Sequence, residues 1–341
     1  MSNVVANVYR GGVIESSHLG HVAVVDKNGS LLYSYGDPNR LTYARSSMKP
    51  IQTIPVVETG AADRFAFSEA DLALCCASHS GEERHRSRVL AMLSRIGQSE
   101  TVLQCGTHVP RDEASYRQLI KESRELTPVY SNCSGKHAGM VATAVHMGED
   151  PHTYHEQDHP VQIRILEAVA DVTGYPKDKI HIGIDGCGVP AHRLPLVNLA
   201  WAFARLATPS VFDNPVRREA VQRVTDAMVA APEMVGGHNR YCTDLMQAFK
   251  GQIIGKAGAE AVYCIGDRQS GIGIAVKIED GGARATYAVM NEVLYQLGIG
   301  TDGELEALHA YTNPDVKNMN GKSVGSIRTE FTLRRERKAA L

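Results

Sequence analysis

Two regions of the chain have the hydrophobic pattern of β-strands. Near the N-terminus, residues 21–26 and 31–35 are mostly apolar and flank an Asn-Gly pair, which predicts a β-hairpin with a tight turn. Near the C-terminus, residues 261–265 and 272–278 are apolar, rich in β-branched side chains and bounded by glycines. We predict two further strands there. Both end regions of the chain are therefore expected to form sheet.

The middle of the chain has helical periodicity instead. Residues 81–96 have a charged first half and then apolar side chains at helical spacing. Residues 160–174 begin with proline and end with glycine, which is the usual asymmetry of helix ends. A third helix is predicted to begin near residue 213, and residues 287–297 predict a fourth.

Strands at both ends with helices between them favour one topology. We predict an α+β fold in which strands from about residues 1–40 and 252–330 share one antiparallel sheet, while helices occupy about residues 45–250. The chain, residues 1–341, is predicted to be a single unit with these two regions. An ordinary two-layer α+β domain is the alternative.

Composition and charge exclude some function classes. Hydrophobic residues make up 43% and charged residues 22% of the 341 residues, which is ordinary for a globular enzyme. The formal net charge of -2 creates no field that would attract nucleic acid or an anionic membrane. No apolar run is long enough for a membrane-spanning helix.

The seven cysteines are an odd number. The first ten residues lack the basic start and apolar run of a secretory signal, so we expect a reducing cytoplasm and free thiols. Free thiols can pack in the core, bind a metal or react.

The first candidate for catalysis is Arg-Ser-Ser-Met-Lys-Pro at residues 45–50. If a helix starts here, Ser46 and Lys49 lie on one face, about one turn apart. An amine beside a hydroxyl can take its proton and make it a nucleophile, and Ser47 lacks this spacing. Because the pattern is short, a solvated helix start is the alternative.

Further polar, glycine-bearing clusters lie at residues 75–82, at 131–139 together with 183–190, and at 254–260. Their order along the chain is similar to that in serine enzymes of the β-lactamase and penicillin-binding type, which place a second serine motif on a loop and Lys-Thr-Gly on a strand. Here Ser78-His79-Ser80 and Lys256-Ala257-Gly258 occupy those places without a strict match. The structural alternatives are a helix N-cap serine and a lysine at a strand edge.

Taken together, the longer strings resemble those of the rhizobial-type L-asparaginases, the class 3 or asparaginase II family. The matching strings are Arg-Ser-Ser-x-Lys-Pro at 45–50, Cys-Ala-Ser-His-Ser-Gly-Glu at 76–82, Asn-Cys-Ser-Gly-Lys-His at 132–137, Asp-Gly-Cys-Gly-Val-Pro at 185–190, Pro-Glu-Met-Val-Gly-Gly at 232–237, Tyr-Cys-Thr-Asp at 241–244 and Gly-Lys-x-Gly-Ala-Glu at 255–260. The resemblance covers roughly residues 5–330. It implies a serine β-lactamase-like fold and hydrolysis of L-asparagine to L-aspartate and ammonia.

The resemblance also implies roles for individual residues. It implies two catalytic pairs, Ser46 with Lys49 and Ser78 with Lys256. The ligands that it implies for a zinc ion are Cys133, Lys136 and Cys187. The positions that it implies along the substrate pocket are Arg45, His137, Asp185 and Cys242.

The zinc ion is expected to hold the substrate or shape the pocket, because serine already supplies the nucleophile. A lysine ligand is unusual, since its amine must lose a proton to bind. Without the resemblance, Cys133 and Cys187 would be interpreted as buried thiols. The cysteines at positions 75, 76, 105 and 264 are assigned to packing.

Three functions stay open at this point. The leading one is an L-asparagine amidohydrolase, expected by resemblance to be a cytoplasmic homodimer with no nucleic-acid or membrane partner. The second is a related serine acyl-transfer hydrolase, such as a glutaminase, β-lactamase or peptidase. The third is a non-catalytic, zinc-bound amino-acid receptor, which would have no need of two Ser-Lys pairs.

Overall fold

The computed structural model describes residues 3–336. Its strands in chain order are β1 Asn3–Arg10, β2 Val13–Asp26, β3 Leu31–Tyr35, β4 Leu41–Tyr43, β5 His181–Ile184, β6 Pro190–Pro195, β7 Ile253–Gly258, β8 Val262–Asp267, β9 Ile272–Ile278, β10 Asp315–Lys317, β11 Ser323–Thr329 and β12 Arg334–Arg335. Its α-helices are α1 Lys49–Glu58, α2 Ala61–Arg64, α3 Glu69–Cys75, α4 Glu83–Ile96, α5 Glu113–Lys121, α6 Ser134–Met147, α7 Pro160–Thr173, α8 Leu196–Ala207, α9 Pro215–Ala230, α10 Pro232–Val235, α11 Tyr241–Ala248, α12 Thr286–Leu297, α13 Asp302–Glu306 and α14 His309–Thr312. Within this range no helix has both the length and the apolar character needed to cross a membrane.

The chain is divided between two compact units. The sheet unit comprises the chain up to Ser47, Leu194–Thr208 and the chain from Asp244 onward. The helical unit comprises Met48–Arg193 and Pro209–Thr243. The sequence predicts helix throughout the middle of the chain, and α8 and the part of α11 from Asp244 onward are helical segments there that belong to the sheet unit. That the whole chain is one catalytic unit stays a prediction.

The sheet unit is built on an antiparallel sheet that joins the two ends of the chain. Its main path runs β10-β11-β1-β2-β9-β8-β7, and β3 pairs with β2 and with β12. In the centre, Val22 lies opposite Val276 and Ala23 lies opposite Ala275. The predicted α+β fold, with terminal strands in one antiparallel sheet, is confirmed.

The predicted N-terminal hairpin is present, but its first strand is longer than predicted. β2 begins at Val13, because residues 13–20 pair with β1. That stretch contains Glu, Ser and His side chains, so it lacks the apolar pattern that predicted residues 21–26.

Helix α8 packs across β2, β8 and β9 and buries Leu199, Phe203 and Leu206 in the core of the sheet unit. The approach is close enough to require glycine in the facing strand. A Cβ atom at Gly273 would lie 1.8 Å from the carbonyl oxygen of Ala200. The helix therefore holds strands β8 and β9 rigidly, and β7 is hydrogen-bonded to β8.

Helix α1 is the centre of the helical unit. It packs against α6, α7 and α9, and every residue from Lys49 to Val57 is buried. Helices α3 and α4 also pack on α6. The predicted helices at 81–96, at 160–174 and from 213 correspond to α4, α7 and α9, and Gly174 ends α7 with a φ of 61°.

Candidate active site

The chain enters α1 through a strained turn. Residues Arg45–Met48 form a 3₁₀ turn, and Arg45 has a φ of 50°, a left-handed conformation that costs a non-glycine residue roughly 1–3 kcal/mol. The Oγ of Ser47 is buried and donates to the carbonyl oxygen of Ala44 at 2.7 Å. Ser46 is only half-buried. Of the two adjacent serines, Ser46 is therefore the more accessible.

Lys49 is the first residue of α1 and its side chain is 1% exposed. Its Nζ donates to Ser78 Oγ at 3.1 Å and to Cys133 Sγ at 3.2 Å. It also donates to the carbonyl oxygens of Ala77 and Asn132. Segments that are 29 and 84 residues away along the sequence thus meet at one amine.

The loop after α3 holds Ser78 in place. The backbone N–H of Ser78 donates to the carbonyl oxygen of Val235 at 3.0 Å. Beside it, His79 Nδ1 accepts from the N–H of Gly81 at 3.1 Å, so its Nε2 carries the hydrogen that points to Ser134 Oγ at 2.9 Å. Burial lowers the pKa of His79 well below 6.5, and the neutral ring ties the Ser78 loop to α6.

Helix α6 brings a second lysine into the same region. A Cβ atom at Gly135 would lie 2.3 Å from the carbonyl oxygen of Leu74, so glycine is needed for α6 to approach α3 this closely. Lys136, the next residue, is buried, and its Nζ donates to Cys187 Sγ at 3.1 Å.

The thiols of Cys133 and Cys187 are hydrogen-bonded to each other. A hydrogen bond between them lowers the pKa of Cys187 and raises the pKa of Cys133. Burial opposes the charge on Lys136, but the negative charge of Cys187 outweighs burial and raises the pKa of the Lys136 amine. The lowered pKa of Cys187 and the raised pKa of Lys136 both favour the charged form of their side chains.

Asp185 shapes the turn that presents Cys187. The turn joins β5 to β6, and the N–H of Asp185 donates to the carbonyl oxygen of Val189 at 2.9 Å. The Oδ1 atom of Asp185 accepts from the N–H of Cys187 at 3.4 Å. The Asp185 carboxylate also raises the pKa of Lys136, so it lies near that amine.

His137 lies beside the same cluster and is fully buried. Its Nδ1 lies 2.6 Å from the hydroxyl of Tyr154. Burial, and then the charge of Lys136, lowers the pKa of His137 well below 6.5, so the ring is neutral. Tyr154 lies in a polar turn segment with no hydrophobic periodicity, so no local signal predicts its burial.

The remaining predicted residues lie elsewhere in the two units. Lys256 is fully buried on β7, and its Nζ donates to the carbonyl oxygen of Ala257 at 2.7 Å. Lys256 lies within a strand, because residues 253–258 pair with β8. Cys242 is buried in the part of α11 that belongs to the helical unit. The pairs Ser46–Lys49 and Ser78–Lys256 each have one member in each unit, and both pairings stay predictions.

The structure thus brings together, within the helical unit, Lys49, Ser78, Cys133, Lys136, His137, Asp185 and Cys187. Across residues 3–336, no group of three or more His, Cys, Asp or Glu side chains is arranged to hold a metal ion. The implied zinc set has only two such ligands, because its third member is a lysine. The cysteines assigned to packing are all buried.

Comparison with protein families gives a match over nearly the whole chain. The sequence model of L-asparaginase II matches residues 6–329. Comparison with curated proteins gives no match.

Similar solved structures include β-lactamases and a carboxypeptidase, all at low identity. A β-lactamase from Mycobacterium bovis has 13% identity and a TM-score of 0.42, with 81% of this chain and 94% of that chain covered. A class C β-lactamase from Rhodobacter sphaeroides has 14% identity and a TM-score of 0.41, with 81% and 94% covered. The D-alanine carboxypeptidase AmpC from Burkholderia cenocepacia has 16% identity and a TM-score of 0.37, with 80% and 93% covered. At TM-scores this low, the likenesses carry no argument about activity.

Proposed function

Because the chain belongs to the L-asparaginase II family, and is thus an asparaginase-like hydrolase, we propose that it converts L-asparagine and water to L-aspartate and ammonia. One observation carries the mechanism: the buried Lys49 Nζ lies 3.1 Å from Ser78 Oγ. An amine in hydrogen-bond contact with a serine hydroxyl can exchange a proton with it, so this contact supports Lys49 as the base of a Ser-Lys site with Ser78 as its relay partner.

We propose Ser46 as the nucleophile. Its half-buried side chain and the strained turn at Arg45 support this role, while the hydroxyl of Ser47 is already bound to Ala44. Ser46 lies in the 3₁₀ turn Arg45–Met48 and precedes Lys49, the first residue of α1, by three residues. In its neutral form Lys49 accepts the proton of the Ser46 hydroxyl.

The proposed reaction then has two stages. A bond forms from Ser46 Oγ to the carboxamide carbon, the C–N bond breaks, and ammonia leaves with the proton that Lys49 accepted. Water next attacks the resulting ester, which releases L-aspartate and restores the serine. Ser78 and Lys256 are proposed to relay protons between these stages, and the hydrogen bond from Lys49 to Ser78 supports that role.

The thiols and the second lysine fit a zinc site. Donor atoms of a tetrahedral zinc lie about 3.5 Å apart for the usual bond lengths, and Lys136 Nζ lies 3.1 Å from Cys187 Sγ. The lowered pKa of Cys187 favours the thiolate, which is the form that zinc binds. We propose that Cys133, Lys136 and Cys187 hold zinc, with Lys136 giving up its proton. When bound, zinc would supply a Lewis acid that anchors a substrate oxygen.

Charged residues are proposed to select an amino acid as substrate. The guanidinium of Arg45 complements a carboxylate, and the carboxylate of Asp185 complements an ammonium group. His137 and Cys242 are proposed to line the same pocket. A homodimer in the cytoplasm is also proposed, and sedimentation velocity on the purified protein would test the oligomeric state.

The test is ammonia release from L-asparagine by matched serine variants. We expect Ser46→Ala to be nearly inactive and Ser47→Ala to keep most activity, because only Ser46 has the spacing to Lys49. Full activity in Ser46→Ala would exclude Ser46 as nucleophile. Turnover of nitrocefin, or of L-glutamine above L-asparagine, would favour a related acyl-transfer hydrolase instead.

A further inference from the structure

Tyr154 is a fully buried tyrosine whose hydroxyl has two neighbours. It accepts a hydrogen bond from the backbone N–H of Gln104 at 2.9 Å, and it lies 2.6 Å from His137 Nδ1. A backbone N–H can only donate, so one side of the hydroxyl is fixed as an acceptor. The direction of the second bond determines which ring nitrogen of His137 carries the hydrogen.

Burial decides that direction. If His137 Nδ1 carried the hydrogen, the Tyr154 oxygen would accept two bonds, and its own hydrogen would meet no acceptor among residues 3–336. The bare Nε2 would then also be buried without a donor among these residues, so two groups would lack partners, whereas a hydrogen on Nε2 leaves only the Nε2–H group without one. Each buried group without a partner costs roughly 1–3 kcal/mol. The hydroxyl therefore donates to Nδ1, and the single hydrogen of the neutral ring lies on Nε2.

The Nε2–H group of His137 lies at the end of this hydrogen-bonded series and indicates a role for the ring. Nε2 is buried and has no hydrogen-bond partner in the described part of the chain. Orphan buried donors are rare in folded proteins, and each one needs an explanation. His137 directly follows Lys136 in the first turn of α6, and the charges of Lys136 and Lys49 both act on its ring. The orphan donor thus lies beside the cluster of candidate catalytic groups.

We propose that Tyr154 is a positioning residue that fixes His137 in the Nε2–H tautomer, so that this hydrogen donates to an oxygen of the bound amino acid. This inference rests on the proposed function, since the ligand is the substrate or product of that reaction. Gln104 and Tyr154 set the tautomer before the substrate arrives, so no rearrangement is needed on binding.

Gln162 offers a competing explanation for the orphan donor. Its Nε2 donates to the carbonyl oxygen of Tyr154 at 2.9 Å, and its Oε1 is also buried without a partner among the described residues. An internal water could bridge Gln162 Oε1 and His137 Nε2–H. In that case the donor would be structural and indifferent to substrate.

Two replacements of His137 distinguish the role of Nε2 from that of Nδ1. The amide nitrogen of glutamine reaches about as far as Nε2, whereas that of asparagine reaches about as far as Nδ1. We expect His137→Gln to lose less kcat/KM than His137→Asn, which should lose roughly 10- to 100-fold, as for a lost hydrogen bond to a charged or polarised oxygen. Equal losses in both variants, with both folded, would overturn the proposal.

A double-variant experiment tests Tyr154 itself. Tyr154→Phe should lower kcat/KM by roughly 10-fold, because the tautomer is no longer fixed. In the His137→Gln background the same change should cause little further loss, since an amide has no tautomer to fix. Equal losses in both backgrounds would mean that the hydroxyl acts only through packing, which contradicts the proposal.

Nitrogen-15 NMR of the histidine ring gives a readout that does not depend on turnover. We expect the full-length protein to show the Nε2–H tautomer, a mixture in Tyr154→Phe, and a shift of the Nε2–H signal when L-aspartate is added. An Nδ1–H tautomer, or an Nε2–H signal indifferent to L-aspartate and L-asparagine, would overturn the proposal. If the protein released no ammonia, the proposed function would fail while this spectrum still tested the tautomer.

Discussion

Replacing Lys49 by methionine tests the Ser-Lys mechanism at the buried amine that contacts Ser78. Methionine has nearly the same length and is apolar, so it keeps the packing of α1. It removes the hydrogen bond from Nζ to Ser78 Oγ, which is 3.1 Å long. Loss of a general base lowers the rate by about 10²- to 10⁴-fold, or about 3–5 kcal/mol in activation free energy.

The expected cost in stability is smaller. The carbonyl oxygen of Asn132 keeps a second donor, the N–H of His79 at 3.3 Å. The carbonyl oxygen of Ala77 loses the hydrogen bond from Lys49, at a cost of roughly 1–3 kcal/mol. Removal of a buried polar amine, which loses its contact with water on folding, offsets part of that cost. We therefore expect a fall of about 2 kcal/mol or less in the free energy of unfolding.

The assay is kcat/KM for ammonia release, with guanidinium-induced unfolding as the companion measurement. Lys277→Met is the matched control, because Lys277 is also buried, at 7% exposure, and donates to the carbonyl oxygen of Glu260 in the sheet unit. The control should lose stability and keep kcat/KM. A folded Lys49→Met variant with kcat/KM within about 3-fold of wild type would refute the role of Lys49 as base.

Three further predictions concern packing, acid stability and metal. Gly273→Ala should destabilise the fold by at least 1–3 kcal/mol in chemical unfolding, since its methyl group would lie 1.8 Å from a backbone oxygen of α8, whereas Gly303→Ala, with open space around it, should be nearly neutral. The hydrogen bond from Arg40 lowers the pKa of Glu279 from 4.5 to about 2, so its stabilisation is complete above about pH 4.5 and is lost as pH falls towards 2. Because the pair is partly solvent-exposed, Glu279→Gln should cost about 1 kcal/mol at pH 7 and nothing at pH 2; a pH-independent effect would contradict this assignment. The purified protein should contain about one zinc by mass spectrometry of the metal, and Cys187→Ser should reduce that content sharply; unchanged zinc would exclude Cys187 as a ligand.

Local patterns in the sequence predict much of the fold. Proline at residue 160 and glycine at 174 mark the two ends of α7 because they act through backbone conformation alone. The Asn-Gly pair similarly marks the β2–β3 turn. Strands β10 and β12 have no such signal, because their sequences, Asp-Val-Lys and Arg-Arg, are polar and lie at the sheet margin. Their place depends on pairing with β11 and β3.

The site is predictable only in part, because many of its contacts join segments that are distant in the sequence. Spacing draws attention to Ser46 and Lys49 because a helical turn is a local structure. The contact of Lys49 with Ser78 depends on how α1, α3 and α6 pack, and no spacing encodes it. Tyr154 is harder still to predict from the sequence, because its proposed role depends on a single hydrogen bond to His137 at 2.6 Å.

The most direct test of the proposed function is product analysis of L-asparagine incubated with the purified wild-type protein and with Ser46→Ala. We expect L-aspartate and ammonia in equal amounts from the wild type and almost none from the variant. Calorimetry in parallel would reveal binding without turnover. Tight binding of L-asparagine by the wild type with no release of ammonia would contradict the enzymatic function and favour a receptor.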